Sequence, residues 1–215
     1  MINMKVQFLI DNKKSWIVDN IKKFISRNKQ KYNLSLIHNH NNIKKSDITF
    51  ILSSLNKISP SHLKKSKNNI VIHPSKLPKG KGFSPLEWQI LEGKNKIWIT
   101  AFEANNNFDS GEIYIQNSFF LKGTELKEDL KKIQFKETLK IIKKLINKYP
   151  KFKSYKQSGA STYYKKRGRW NNKLDINKTI KKQINILRIS DNDNYPSFFI
   201  YKNKKYILKI FDDKK

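Results

Sequence analysis

The chain has 215 residues, enough to bury a substantial core in one domain, or in one domain with a small appendage. Its 46 Lys and Arg against 17 Asp and Glu give a net charge of +29, which favours anionic ligands through long-range steering. Cysteine is absent, which excludes disulfides, thiolate zinc sites and cysteine nucleophiles.

Arginine occurs only as Arg27, Arg167, Arg169 and Arg188, and lysine is spread over every segment. The surplus charge therefore reads as a general Lys-rich surface more than as a dedicated nucleic-acid face. The apolar run at the N-terminus is broken at Asp11, too early for a signal peptide, and no segment approaches the ~20 apolar residues that span a bilayer. A soluble cytoplasmic protein is expected.

Val6 to Ile10 is an apolar run interrupted only by Gln7, as in a strand buried on both faces. Trp16, Ile17, Ile21, Phe24 and Ile25 follow at helical spacing behind Ser15, a candidate cap. Leu34 to His38, Ile48 to Leu52, and Ile70 to Ile72 read as further strands, with a short helix opened by Ser59-Pro60. Strand and helix thus alternate, which predicts an α/β fold with a mostly parallel sheet and helices on its faces.

Ser84-Pro85 starts a helix that ends at Glu92-Gly93; Lys96 to Glu103 reads as a strand, and Ala104 to Asp109 as a loop. A strand, EIYIQ, follows Gly111, and Leu126 to Tyr149 is a long amphipathic helix. Pro150 marks a break. Residues 1–150 are expected to form the main domain and 151–215 a small α+β appendage, with a helix from about Asn177 to Ile189 and a closing strand pair, Phe198 to Tyr201 and Tyr206 to Phe211.

Four histidines are present. His38 and His40 lie in a short HNH tract with no third ligand nearby, and His62 lies in a predicted surface helix; no metal site is expected. His73 differs because it ends a buried strand, the edge of an open α/β sheet where ligands bind. The loop after it is stiffened by Pro74 and Pro78, carries Lys79 and Lys81, and has Gly80 and Gly82 where backbone can approach a ligand closely. It lacks the form of a nucleotide P-loop. Asp109-Ser110-Gly111 stands at a later strand entrance and by itself reads as an ordinary turn.

Taken together, His73 to Gln116, HPSKLPKGKGFSPLEWQILEGKNKIWITAFEANNNFDSGEIYIQ, resembles the folate-dependent formyltransferases. The components recur in order: H-P-S-x-L-P, a Gly-rich turn, S-P, W-x-I-L-x-G, a strand and D-S-G-x-I. The resemblance implies a Rossmann-like formyltransferase fold and 10-formyltetrahydrofolate as co-substrate. It implies His73 as the group polarising the formyl oxygen and Asp109 as the carboxylate taking a proton from the attacking amine, a pairing that suits attack of an amine on a formamide-like carbon. It further implies cofactor contacts at Leu77, Pro78, Ala104, Asn105, Asn106, Asn107 and Phe108, and substrate contacts at Ser75, Lys79, Gly80, Lys81 and Gly82. The family pattern N-x-H is broken here: Val71 stands where an asparagine is expected, and Asn69 is about 13 Å along the strand from His73.

The segment from Gly159, GASTYYKKRGRWNNKLDINKTIKKQINILRISDNDNYPSFF, resembles the tail of sugar N-formyltransferases acting on nucleotide-linked 4-amino deoxysugars for surface glycans. Tyr163 and Tyr164 could stack on a base or sugar, and Arg167 and Arg169 could clamp a diphosphate. Arg188, ending a helix, is explained by the helix dipole alone. The expected partner is a small nucleotide-linked amino sugar, with no membrane and with a homodimer left open. The alternatives are formylation of methionyl-tRNA, and a non-catalytic folate- or nucleotide-binding module.

Overall fold

The computed structural model describes residues 4–54 and 56–213. In chain order the elements are β1 (Lys5–Leu9), α1 (Val18–Asn28), β2 (Asn33–Ile37), β3 (Ser46–Ile51), α2 (Pro60–Leu63), β4 (Ser66–His73), β5 (Lys81–Gly82) and α3 (Pro85–Leu91). There follow β6 (Lys96–Glu103), β7 (Ile113–Phe120), α4 (Lys127–Lys148), β8 (Tyr163–Tyr164), α5 (Ile180–Ile189), β9 (Ser197–Tyr201) and β10 (Lys204–Leu208).

A six-stranded sheet runs in the order β2-β1-β3-β4-β6-β7. The pairs β1/β2, β1/β3 and β3/β4 are parallel, whereas β4/β6 and β6/β7 are antiparallel. The mostly parallel Rossmann-like sheet expected from the alternating pattern is present, with an antiparallel wing after the loop that follows His73. The residues of β1 and Ile10 after it show why the run is apolar apart from Gln7, whose amide is satisfied by the Lys44 backbone. Val6, Phe8 and Ile10 join the main core with α1, α3 and α4, and Leu9 points to a second cluster with Ile43, Ile51 and Ile58, covered by Leu63 of α2. Side chains on both faces are therefore withdrawn from water.

Several boundaries differ from expectation: β7 runs on to Phe120, past the expected EIYIQ, and β10 spans Lys204–Leu208 where Tyr206 to Phe211 was expected. β4 starts at Ser66, not Ile70, because its polar beginning is satisfied internally: Ser66 Oγ lies 2.8 Å from Ser46 Oγ and 2.6 Å from Thr49 Oγ1. α1 starts at Val18 with no side-chain cap, so Ser15 and Trp16 belong to the preceding loop. α5 starts at Ile180, where the Thr179 side chain accepts from Lys182 N–H.

Arg188 is also more than a helix-end cation. It is 3 % exposed and its guanidinium donates to the Glu125 carboxylate at 3.1 Å and to the Glu125 carbonyl at 3.2 Å. This pair ties α5 to the turn before α4. The closing hairpin pairs Ser197–Leu208 through Tyr201–Lys204, and its two-residue turn, Lys202 and Asn203, takes positive φ at both positions, as a tight hairpin turn requires. No helix among the described residues is long and apolar enough to cross a membrane.

Candidate active site

His73 is the last residue of β4, at the carboxyl edge of the parallel strands, and is 7 % exposed. Its Nε2 lies 2.9 Å from the Gly80 carbonyl. A carbonyl can only accept, so this contact fixes the proton on Nε2. The same nitrogen is 3.9 Å from Asp109 Oδ2.

Asp109 has φ +49, a left-handed conformation uncommon outside glycine, at the turn that delivers its carboxylate. That carboxylate accepts the Gly82 N–H at 2.8 Å. Behind it the turn is locked. Gln157 donates to the carbonyls of Asp109, at 3.0 Å, and Gly111, at 2.9 Å; the single Ser110 hydroxyl proton is shared between Asn105 Oδ1 and the Asn107 carbonyl. Gly111 is required by close approach, since a Cβ there would stand 1.6 Å from the Glu103 carbonyl oxygen.

The Gly/Lys loop thus addresses the histidine through Gly80 and the aspartate through Gly82. It is held from outside by the appendage: β5 pairs with β8, Gly80 N–H donates to Thr162 Oγ1 at 2.9 Å, and the Tyr164 ring stacks on Trp88 at 5.9 Å. A Cβ on Gly82 would meet the Tyr164 carbonyl oxygen at 2.5 Å, and one on Gly80 would meet the Tyr164 ring at 2.7 Å. These glycines therefore serve backbone packing around the site.

A cleft of about 1170 Å³ opens above His73 and Asp109. Of the residues expected to bind, Ala104, Asn105, Asn107, Phe108, Gly82, Tyr163 and Arg167 line it. The others lie outside its lining. Leu77 is buried with Phe102 and Ile113; the Pro78 carbonyl accepts Thr162 N–H; Ser75 is buried beneath Gly80, its hydroxyl without a hydrogen-bond partner. Lys79, Asn106 and Arg169 are exposed, and Lys81 is buried with its ammonium 5.8 Å from the Tyr163 ring.

Val71 also lines the cleft, packing against Leu9, Ile51 and Ile58 on one side and Leu77, Phe102 and Ile113 on the other. Asn69 does not take over the vacant polar role: its amide donates to the Leu63 carbonyl at 2.9 Å, and its backbone N–H goes to Glu103. Polar supply on this wall comes from His73 itself and from the loop.

Several cleft residues were beyond local sequence reading. Asn12, Lys14 and Trp16 come from the loop after β1, where the strand-end rule was an available signal. Glu87 pairs with Lys127 at 2.5 Å, and Asp191 with Lys131 at 3.2 Å, pairings that bridge distant chain segments. Burial pushes Glu87 upward, but the Lys127 ammonium, a backbone hydrogen bond and the Arg167 charge together hold the carboxyl below its ordinary range. Asp191 is likewise raised by burial but brought down to about 2 by the N–H groups of Asn194 and Asp193 and by Lys131. Glu87 and Asp191 are thus each neutralised by a lysine, whereas Asp109 faces His73. Arg167 donates to Asn172 Oδ1 at 2.6 Å, its Nε has no partner, and burial pulls it below its ordinary value while Glu87 works the other way.

Residues 6–145 match the family described as formyl transferase. The chain belongs to the formyl transferase family. The methionyl-tRNA formyltransferase of Mycoplasma genitalium is 30 % identical over 121 residues, 54 % of this chain and 38 % of that protein. The chain's match thus spans well under half of this curated relative. Among solved structures, the methionyl-tRNA formyltransferase of Clostridium thermocellum superposes with a TM-score of 0.79 at 24 % identity, covering 98 % of this chain and 94 % of that one. A 4-N formyltransferase of Francisella tularensis gives 0.68 at 20 % identity, with 99 % of both chains covered. These two likenesses establish the fold of the formyl transferase.

Proposed function

We propose that this formyl transferase moves a formyl group from 10-formyltetrahydrofolate to the primary amine of a nucleotide-linked amino sugar. The observation that carries the reading is the pair His73 Nε2–H and Asp109 carboxylate, 3.9 Å apart on the cleft floor. Next to them Ile51, Leu52, Leu63, Val71 and Phe102 form an apolar wall suited to a flat heteroaromatic ring. Bound there, the co-substrate supplies an electrophilic formyl carbon.

His73 donates Nε2–H to the formyl oxygen as negative charge develops on it, exchanging the Gly80 carbonyl for a better acceptor. Asp109, oriented by Gly82 N–H, takes the proton that the amine loses as the new C–N bond forms. That proton returns to the carrier nitrogen as the old C–N bond breaks, so charge and atoms balance. Trp88 and Tyr164 brace the loop and keep both groups in place during the exchange.

An anionic acceptor is supported by Arg167, whose Nε is unpaired, and by Lys14 and Lys166, which also line the cleft. A small sugar-linked acceptor is supported by the tail resemblance from Gly159, and transfer to a nitrogen by the description of the Francisella protein as a 4-N formyltransferase. Methionyl-tRNA is the second reading, favoured by the names of the Mycoplasma and Clostridium relatives. The test supplies purified protein with formyl-labelled 10-formyltetrahydrofolate and, separately, nucleotide-linked amino sugars and methionyl-tRNA. Label in a sugar amide supports the first reading; label only in methionyl-tRNA replaces it with the second. No transfer to either, with the carrier tightly bound, would overturn both in favour of a binding module.

A further inference from the structure

We propose that the solvent face of the α1 and α4 helices is a binding surface for the phosphodiester backbone of nucleic acid. This inference does not depend on which acceptor the cleft takes.

The inner face of α4, with Leu130, Ile141, Ile142, Leu145 and Ile146, is buried in the main core. Its outer face carries Lys132, Lys136, Lys140, Lys143, Lys144 and Lys148, all exposed. At about 100° and 1.5 Å per residue, Lys132, Lys136, Lys140 and Lys143 fall within an arc of roughly 80° over about 16 Å of helix. They form a stripe rather than a scatter. Lys140 pairs with Glu137, while Lys132, Lys136, Lys143, Lys144 and Lys148 have no carboxylate within ion-pair distance among the described residues. Lysines four residues apart repel, so the row 132, 136, 140, 144 and 148 weakens the helix on its own and is relieved by a line of negative charge.

The stripe is broadened by its neighbour. α1 packs on the same core and exposes Lys22, Lys23 and Arg27, and the Tyr32 hydroxyl meets Asn147 Oδ1 at 3.1 Å, fastening the segment after α1 to the end of α4. No large apolar side chain of α1 or α4 is exposed among the described residues. A membrane-surface helix needs an apolar face to insert, so a hydrated polyanion is the better complement. Nucleic acid presents such charge at regular short intervals.

The test is a salt titration of binding to a 20-base-pair DNA duplex of arbitrary sequence. Each phosphate contact contributes about 0.9 to the slope of log K against log salt, so changing Lys132, Lys136, Lys140 and Lys143 to Gln should lower the slope by between about three and four. A control changes Lys45, Lys64, Lys65 and Lys122 to Gln, exposed lysines elsewhere with the same change in net charge; its slope should fall by less than about one. Lys and Gln have similar helix propensity, and unchanged helical circular dichroism and formyl transfer verify that the stripe variant is folded. Equal losses in both variants would show diffuse charge and overturn the proposal. So would duplex binding that survives in the stripe variant while binding to vesicles of anionic phospholipid is lost.

Discussion

His73 and Asp109 approach to 3.9 Å, and each is pinned by a different peptide of one loop, the histidine by the Gly80 carbonyl and the aspartate by the Gly82 N–H. Two groups 36 positions apart are thereby held by three consecutive residues. His73→Ala and Asp109→Asn are each expected to lower kcat by about 10²- to 10⁴-fold. The KM for the folate carrier should change little, because neither variant alters the apolar wall. Steady-state kinetics with both substrates varied decides it; kcat within threefold of wild type would remove that residue from the mechanism.

The two glycines set the same geometry from the backbone side. Gly82 has φ +94 and a Cβ would collide with the Tyr164 carbonyl oxygen, whereas Gly93 has φ +77 but open space around it. Gly93→Ala should cost only local strain, about 1 kcal/mol. Gly82→Ala should cost more and also displace the N–H that orients Asp109, so kcat should fall together with thermal stability. Comparing melting temperature and kcat for both variants checks the contrast.

What was legible in the sequence follows from the range of the forces involved. His73 was visible because an apolar strand ends there, and Asp109 because its turn recurs in a known order after it. The expectation that Gly80 and Gly82 admit a ligand saw the need for close approach, though the bodies approaching are the Tyr164 ring and backbone. The ion pairs Glu87–Lys127 and Lys131–Asp191 were hidden because each joins segments with no local pattern in common. The first residues of β4, Ser66 to Asn69, fell outside the expected strand because they are polar, and only the folded sheet supplies Ser46 and Thr49 to satisfy Ser66. Two-residue strands such as β5 and β8 are too short to leave a periodicity.

Arg167 offers a direct probe of acceptor charge. Its Nε is unpaired in the cleft wall, and Asn172 holds one end of the guanidinium. Arg167→Gln should raise KM for a diphosphate-bearing acceptor by about tenfold or more, as expected for losing a charge-assisted hydrogen bond. The carrier's KM should not move. Equal shifts in both KM values would indicate a structural role instead.

Arg188 and Glu125 join α5 of the appendage to the turn before α4, with Arg188 buried and Glu125 largely so. Removing one partner of a buried pair typically costs about 3–5 kcal/mol, because the other charge is left uncompensated. Arg188→Ala should therefore lower the urea midpoint markedly, while Arg188→Ala combined with Glu125→Gln should recover part of the loss. A double-mutant cycle by urea unfolding measures the coupling, and additive losses would show that the pair is not interacting.

Acid sensitivity should be traceable to Asp191. In the fold its carboxyl titrates at about 2, below the ordinary 3.8, despite burial, because Asn194 and Asp193 N–H groups and Lys131 favour the charged form. A group depressed in the folded state contributes stability that is complete above its unfolded value and is lost as pH falls through its folded value. The window is therefore from about pH 4 down to about pH 2. Glu103 has the opposite sign: burial raises its carboxyl, so its contribution is present at low pH and declines as pH rises through its folded value. The general repulsion of a +29 chain also grows on acidification, and comparison with Asp191→Asn cancels most of it. The stability advantage of wild type over Asp191→Asn, from urea midpoints between pH 2 and pH 6, should be flat above about pH 5 and shrink toward zero near pH 2. A difference that stays constant across that range would mean that Asp191 is not selectively stabilised in its charged form.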